Sequence, residues 1–500
     1  MESMTDSTEN ASREPERIRS GIDGLDDVLR GGLVTGRLYL VCGRPGTGKT
    51  LLGMHFLEAG LERGETVLFV HGEESREEIL TNGSRLGIDI SDAAFLDLGP
   101  ESEFFTEDRS YDLVDPAEVD HDRYTQDIHE AIREIDPARV VIDPITQLRY
   151  IEPNEHQFRK RILSLMRFLK ERDTTVVTTA TVSGDGEYDV EVQSLSDSVI
   201  ELERGDGGRR LRVTKHRGYG QKRGSHGMEI RDGGVDVFPA LVPERHDRSF
   251  EPYPLGSGTE ALDELVGGGL ESGTVTFVSG PTGAGKTTTA AQFLAQAAAE
   301  GTNAVLYLFE EGVDTFTHRS ESVGLPITDL REKGSLSVEP IEPLSLSAEE
   351  FAHEVRERVE RGDAEVVMID GIDGYTMSLQ GRTERLVRKL HALTRYLKNR
   401  GVTVLVTDEI PQLAGVSNAT SANLSYIADN IVFISYLEAD GELEKVIGVL
   451  KKRAGPFDRT LRTFEITAEG VRIGEPVTSH TGILQGRPRE RQIDGGVGER

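Results

Sequence analysis

The sequence predicts two tandem α/β domains, each with a mostly parallel central sheet flanked by helices. Three observations carry this expectation. First, the 500-residue chain repeats itself: Ser20-Gly-Ile-Asp-Gly-Leu-Asp-Asp-Val-Leu-Arg-Gly-Gly-Leu33 resembles Ser257-Gly-Thr-Glu-Ala-Leu-Asp-Glu-Leu-Val-Gly-Gly-Gly-Leu270. The same spacing takes Gly43 to Gly280, Lys49 to Lys286, Thr50 to Thr287, Glu73 to Glu310 and Glu74 to Glu311. Solenoid repeats run about 20–50 residues, so a repeat this long is a duplicated domain. Second, near-continuous Val and Ile runs alternate with helical patterns, as in a sheet buried on both faces. Third, each copy passes from an apolar strand through a glycine-rich loop into a helix.

In the first copy Arg37–Cys42 reads as a strand, Thr50–Arg63 as a helix, Thr66–Val70 as a strand, Tyr124–Glu134 as a helix and Val140–Asp143 as a strand. A helix at about Glu155–Glu171, a strand at Thr175–Thr179 and strands near Ser198–Leu202 and Arg210–Thr214 complete it. The second copy repeats the pattern with Val275–Ser279, Thr287–Glu300, Ala304–Phe309, Ala348–Arg361, Val366–Asp370, Thr383–Arg400 and Val402–Thr407. Pro239, Pro243, Pro252 and Pro254 interrupt any helix at the joint. The expected organisation is therefore a disordered tail at 1–17, a first domain at 18–240, a Pro-rich linker at 241–254, a second domain at 255–475 and a disordered tail at 476–500.

Asp and Glu number 87 against 57 Lys and Arg, a formal net charge of −30. Such a chain repels nucleic-acid phosphates, which makes charge-driven binding to DNA or RNA an unexpected function. No apolar run approaches the roughly 18 residues of a membrane span, and Met1–Arg19 lacks a signal-peptide core. A cytoplasmic protein without membrane partners is expected. The lone Cys42 excludes an internal disulfide framework and a multi-cysteine metal site, and reads as a small buried residue ending a strand. Only 12 residues are Lys, and scarce lysine beside excess acid suits a high-salt cytosol.

Gly43-Arg-Pro-Gly-Thr-Gly-Lys-Thr50 and Gly280-Pro-Thr-Gly-Ala-Gly-Lys-Thr287 both fit the P-loop pattern between a strand and a helix. The backbone from Gly43 through Gly46, Thr47 and Gly48, and from Gly280 through Gly283, Ala284 and Gly285, would wrap phosphate with its N–H groups. Lys49 and Lys286 would reach the β- and γ-phosphates, and the Thr50 and Thr287 hydroxyls would ligate Mg²⁺. The cofactors expected are therefore ATP and Mg²⁺.

Val140–Asp143 and Val366–Asp370 are apolar strands ending in an acid, the arrangement in which Asp143 and Asp370 would complete the metal sites. Glu73-Glu74 and Glu310-Glu311 follow the strands Thr66–Val70 and Ala304–Phe309, where a carboxylate can orient and deprotonate an attacking water or hydroxyl. Adjacent residues on extended chain point opposite ways, so one of each pair should face the phosphate. The spacing leaves open which. Lys215-His-Arg217-Gly218 and Lys451-Lys-Arg453 place two cations on one face of a late strand, where they could reach a neighbouring subunit's γ-phosphate.

On these motifs the chain resembles the KaiC-type circadian-clock ATPases of the RecA superfamily, over about residues 18–475. The resemblance implies two RecA-like domains in a two-tiered homohexamer, with ATP at subunit interfaces in both tiers. It further implies that the first domain is an ATPase and the second an autokinase and autophosphatase. The Glu pairs would be the catalytic carboxylates, and Lys215, Arg217, Lys451 and Arg453 would act in trans. The family's Ile-Ser-Thr-Ile-Thr-Asp phosphoacceptor segment aligns with Leu424-Ser-Tyr-Ile-Ala-Asp429, so Ser425 is the expected acceptor and Tyr426 stands where the second would be. Ala454 replaces the Gly after the second Lys-x-Arg, and the C-terminal tail has no close match to the family's regulatory segment.

Two other functions compete. A RecA-like DNA-binding ATPase would need basic or aromatic loops for single-stranded DNA. Ser183–Glu191 is acidic here, and the loop at Pro411–Thr420 is neutral. A nucleotide-gated signalling scaffold without turnover would not need the carboxylates that both copies keep. An ATP-hydrolysing, self-phosphorylating regulatory ring, with regulatory proteins as further partners, is the expected function.

Overall fold

The computed structural model describes residues 16–98, 129–146, 155–181, 190–205, 207–242, 251–379, 383–410, 420, 424–439, 441–478, 480–481, 483 and 489–490. Residues 124–128 of the expected helix, the loop residues 183–189 and 411–419, and most of the linker and both tails lie outside them. The chain divides into two compact units, Met1–Ala240 and Leu241–Arg500.

Among the described residues each unit holds a nine-stranded sheet. In the first, the strands lie in the order Gly234–Phe238, His226–Arg231, Gly208–His216, Ser198–Gly205, Leu38–Gly43, Thr175–Thr181, Arg139–Asp143, Val67–His71 and Ala94–Asp97. The six from Ser198–Gly205 onward are parallel, and the other three are added antiparallel. The second unit repeats this with six parallel strands, Leu336–Pro340, Ala304–Leu308, Val366–Asp370, Thr403–Glu409, Val275–Gly280 and Asn430–Ala439. Its antiparallel additions are Glu442–Lys452, Arg462–Thr467 and Gly470–Pro476. Every residue of the central strands Leu38–Gly43 and Val275–Gly280 is buried, because helices cover both sheet faces. Separate apolar clusters fill the two faces in each unit. The two tandem α/β domains are as the sequence predicts.

The main differences are additions. The helix Arg76–Arg85 buries only Ile79 and Gly83, too little for an apolar period to reveal. Its signal is local: Ser75 accepts from the Glu78 N–H, and the Glu78 side chain accepts from the Ser75 N–H, a capping box. The edge strands Ala94–Asp97 and Leu336–Pro340 are half-exposed and short. Both expected tails are shorter than the sequence suggests. Arg17 lies in a strand paired with Val34, and His480–Thr481 pairs with Arg489–Glu490. Ile483 is buried there against Leu437 and Val446, apolar surface that ties the segment to the second unit. No helix among the described residues is long and apolar enough to cross a membrane.

One core feature separates the copies. Arg139 begins a sheet strand yet is wholly buried. Its guanidinium pairs with Glu65 at 2.5 Å, donates to the Arg19 and Phe56 carbonyls, and lies over the Phe56 ring. Gly60 makes room for it, since a Cβ there would come 2.8 Å from Arg139 Cδ. In the second copy the corresponding positions are Val366 for Arg139, Ala297 for Gly60, Thr302 for Glu65 and Ala304 for Val67.

Candidate active site

The two glycine-rich loops adopt the same backbone. Gly46 and Gly283 both have φ near 73°, while Gly48 and Gly285, at 100° and 110°, precede the helices Lys49–Leu61 and Lys286–Ala299. These left-handed angles are strained for any residue with a Cβ. Space forbids one as well: a Cβ on Gly285 would lie 2.5 Å from Ile466 Cδ1, and one on Gly48 would lie 3.0 Å from Met228 Cε and Ile230 Cδ1. The late antiparallel strands therefore hold the loops in shape. Ala284 is buried, and Thr47 is buried with its hydroxyl donating to the Arg44 carbonyl at 2.9 Å. Neither helix has an acidic residue in its first turn or a side-chain cap, so its leading N–H groups are left for an anion.

Each loop lysine turns back over this cradle. Lys49 Nζ donates to the Gly43 and Arg44 carbonyls at 3.1 and 3.2 Å, and Lys286 Nζ donates to the Pro281 carbonyl at 3.0 Å. Burial holds the Lys49 ammonium below the ordinary lysine range, and the charges of Asp143 and Glu73 oppose that shift. A phosphate would supply the counter-charge this ammonium faces only in part.

In the second copy Thr287 Oγ1 donates to Asp370 Oδ1 at 2.9 Å, and Thr407 Oγ1 donates to the same oxygen at 2.7 Å. Burial raises the Asp370 pKa, and the two hydroxyls oppose it. In the first copy Asp143 accepts from Thr179, the counterpart of Thr407. No cluster of three or more His, Cys, Asp or Glu among the described residues forms a metal cage. A hydroxyl and a carboxylate in contact are instead two hard oxygen donors, the small protein share of a Mg²⁺ shell completed by phosphate and water. The residues fit the ion.

The paired glutamates diverge in the same way in both copies. Glu74 accepts from Asn82 on the following helix at 3.3 Å, and Glu311 pairs with Arg319 on its own following helix, Val313–Glu321. Asn82 and Arg319 each lie eight residues beyond the glutamate they hold. The first glutamates interact with other groups. Glu73 acts on the Lys49 charge. Glu310 accepts from the Gly374 N–H, and a Cβ on Gly371 would sit 2.4 Å from its Oε1. Burial raises the Glu310 pKa, the charges of Asp370 and Glu409 add to the rise, and the Gly374 N–H and Lys286 oppose it.

The Lys-x-Arg elements lie away from their own loops. Lys215 pairs in register with Val199, itself next to Leu40, and Lys451 pairs with Ile431, next to Phe277. The P-loops begin three residues further along these strands, at Gly43 and Gly280, roughly 10 Å away at about 3.3 Å per residue. Arg217 and Arg453 fall just past their strands. Lys215 Nζ donates to the Gln193 and Ser194 carbonyls, and Arg217 lies 3.8 Å from Asp197. Lys451 Nζ likewise donates to the Ser425 and Ala428 carbonyls, and Arg453 pairs with Asp429 at 2.8 Å. Ser425 sits in the 3₁₀ turn Leu424–Tyr426, beside Lys451 and at the end of the sheet opposite Gly280.

Sequence reasoning missed Thr179, Thr407, Asn82, Arg319 and Glu409 as parts of the site. Glu409 ends the strand beside Gly280 and lies 3.7 Å from Lys286. Its only sequence signal is an acid at the end of an apolar run, as at Asp370.

Residues 18–242 and 255–478 each match the family described as the KaiC ATPase. The circadian clock oscillator protein KaiC of Picosynechococcus sp. is 29% identical over 99% of this chain and 96% of its own length. Its counterpart in Synechococcus elongatus is 29% identical over 98% of this chain and 95% of its own. That of Nostoc sp. is 29% identical over 96% and 93%. With a duplicated nucleotide-binding loop, the same diverging glutamates in both copies, and family matches over both domains, this chain belongs to the KaiC family of ATPases.

Proposed function

We propose that both copies hydrolyse Mg·ATP, with Glu73 and Glu310 as the general bases, and that the second copy also transfers a phosphoryl group to Ser425. The observation that carries this is the shared divergence of the glutamates. The first of each pair acts through its charge with the P-loop lysine, and the second is tied to the helix that follows. In hydrolysis the base takes a proton from water as the water oxygen bonds to the γ-phosphorus. The bond to the β-phosphate oxygen breaks, and ADP leaves with that electron pair. Lys49 or Lys286 and the loop N–H groups balance the charge on the phosphates. Thr50 with Asp143, and Thr287 with Asp370, would hold Mg²⁺, which neutralises phosphate charge when bound.

Phosphoryl transfer to Ser425 follows the same course with its hydroxyl in place of water. Ser425, Lys451 and Arg453 lie at the end of the sheet away from their own P-loop, so the nucleotide they serve belongs to another copy of the chain. This supports a homo-oligomeric ring, a hexamer by family resemblance, with Lys215, Arg217, Lys451 and Arg453 acting across the subunit boundary. The relatives are circadian clock oscillator proteins, and a regulatory role of that kind, with protein partners, is the proposed biology.

Incubation with Mg·[γ-³²P]ATP separates the two activities. Released phosphate and protein-bound label are both expected, and Ser425→Ala is expected to remove the label while leaving most phosphate release. Label that persists in Ser425→Ala would place the acceptor elsewhere.

A further inference from the structure

The second unit holds a cavity of about 720 Å³ between its outermost strand, Leu336–Pro340, and the helix Ala348–Glu360. Such a volume suits a small molecule. Tyr307 lines it and is only 1% exposed, yet its hydroxyl has no hydrogen-bond partner among the described residues. Tyr307 and Glu339 are register partners on neighbouring parallel strands, so both face the cavity side of the sheet. Glu354, Glu357, Arg358 and Arg361, at helical spacing, form the facing wall. Burial raises the Tyr307 pKa, the charges of Glu354 and Glu339 add to the rise, and Arg358 opposes it. The hydroxyl end of the ring is therefore the end that meets these charged walls. Phe351 packs edge-to-face on the ring at 5.1 Å and is itself braced by Phe309 and Tyr375, which fixes the hydroxyl in place. A buried hydroxyl without a partner is destabilising unless something polar fills the space beside it. The first copy has Val70 at the matching position, so this feature belongs to the second domain alone.

The charges of the lining select the ligand. Four glutamates, Glu339, Glu342, Glu354 and Glu357, face two arginines, Arg358 and Arg361. Arg358 pairs with Glu339, and Arg361 pairs with Glu357 at 2.7 Å. The excess is two negative charges, carried by Glu342 and Glu354, which repels anions and attracts a cation of matching charge. Ile341 and Leu346 add apolar wall. A bare metal ion fits poorly, because no three His, Cys, Asp or Glu among the described residues converge on one point.

We propose that this cavity binds a small aliphatic dication, a diamine or polyamine, with the Tyr307 hydroxyl as its buried anchor. One ammonium donates to Tyr307 Oη and is countered by Glu354. The methylenes cover Ile341 and Leu346, and the second ammonium is countered by Glu342. The site is separate from both P-loops, so it stands or falls independently of the nucleotide reading.

The test is calorimetric titration of the full, nucleotide-free chain with 1,4-diaminobutane at fixed ionic strength. Saturable binding of one diamine per chain is expected. Tyr307→Phe keeps the ring and its packing, and should weaken binding about tenfold, the loss of one hydrogen bond to a charged group. Glu354→Gln should weaken it about fivefold, the fold-change two unit charges about 4 Å apart produce in water. The two variants are made separately, so that a folding defect in one does not decide the matter. Glu77→Gln, an exposed acid on the first unit, should leave binding unchanged. Absence of saturable binding to the parent chain would leave the cavity to water and overturn the proposal. Binding unchanged in both Tyr307→Phe and Glu354→Gln, or weakened as much by Glu77→Gln, would reduce it to general attraction to an acidic surface and overturn it as well.

Discussion

Changing Glu73 and Glu310 to Gln in one chain is expected to lower ATP turnover by about 10²–10⁴-fold, the usual contribution of a positioned general base. Glutamine keeps the shape and the hydrogen bond to the Gly374 N–H but cannot accept the proton of the attacking water. The neighbouring pair is the control. Glu74→Gln and Glu311→Gln alter groups already committed to Asn82 and Arg319, and turnover should fall by less than about tenfold. Nucleotide affinity should change little in the first double variant, because removing a carboxylate near the phosphates does not remove a binding contact. Phosphate release under saturating Mg·ATP checks this. Full turnover in Glu73→Gln/Glu310→Gln, with loss in Glu74→Gln/Glu311→Gln, would reverse the assignment.

Arg139→Val is expected to destabilise the first domain by about 3–5 kcal/mol, the usual cost of removing one partner from a buried ion pair. The substitution leaves Glu65 without its cation, two backbone carbonyls without their donor, and a void beside Gly60. The second copy has Val366, Ala297, Thr302 and Ala304 at the equivalent positions, which carry no charge. Transplanting that set as Gly60→Ala/Glu65→Thr/Val67→Ala/Arg139→Val should therefore recover most of the loss. Urea unfolding of the single and quadruple variants measures it. A single variant as stable as the parent would show that the buried pair contributes nothing net.

Arg139 also illustrates what a sequence conceals. Its signals were present, a cation opening an apolar strand and a glycine inside the helix Lys49–Leu61, but nothing in one copy says that they meet. The parallel strands were legible because both of their faces are buried, which makes them continuous apolar runs. The P-loops were legible because phosphate binding requires glycine at fixed positions, and the duplication repeats them. The antiparallel strands at the end of each domain were only partly legible. Arg462–Thr467 and Gly470–Pro476 are half-exposed and follow no long apolar run.

The divergence of the glutamates was hidden for another reason. It depends on Asn82 and Arg319, polar residues on solvent-facing helices whose contacts are set by tertiary packing. Glu409 was hidden by topology. It meets the P-loop only because the strand Thr403–Glu409 lies next to Val275–Gly280 in the sheet, and sequence order places 122 residues between those strands.

The central claim is that one chain carries two working nucleotide sites. Its most direct test is the stoichiometry of Mg·ATPγS bound at saturation, measured on the parent chain and on Lys49→Ala, Lys286→Ala and the double variant. Two nucleotides per chain are expected in the parent, one in each single variant and none in the double. One nucleotide per chain in the parent, unaffected by one of the two lysine substitutions, would contradict it.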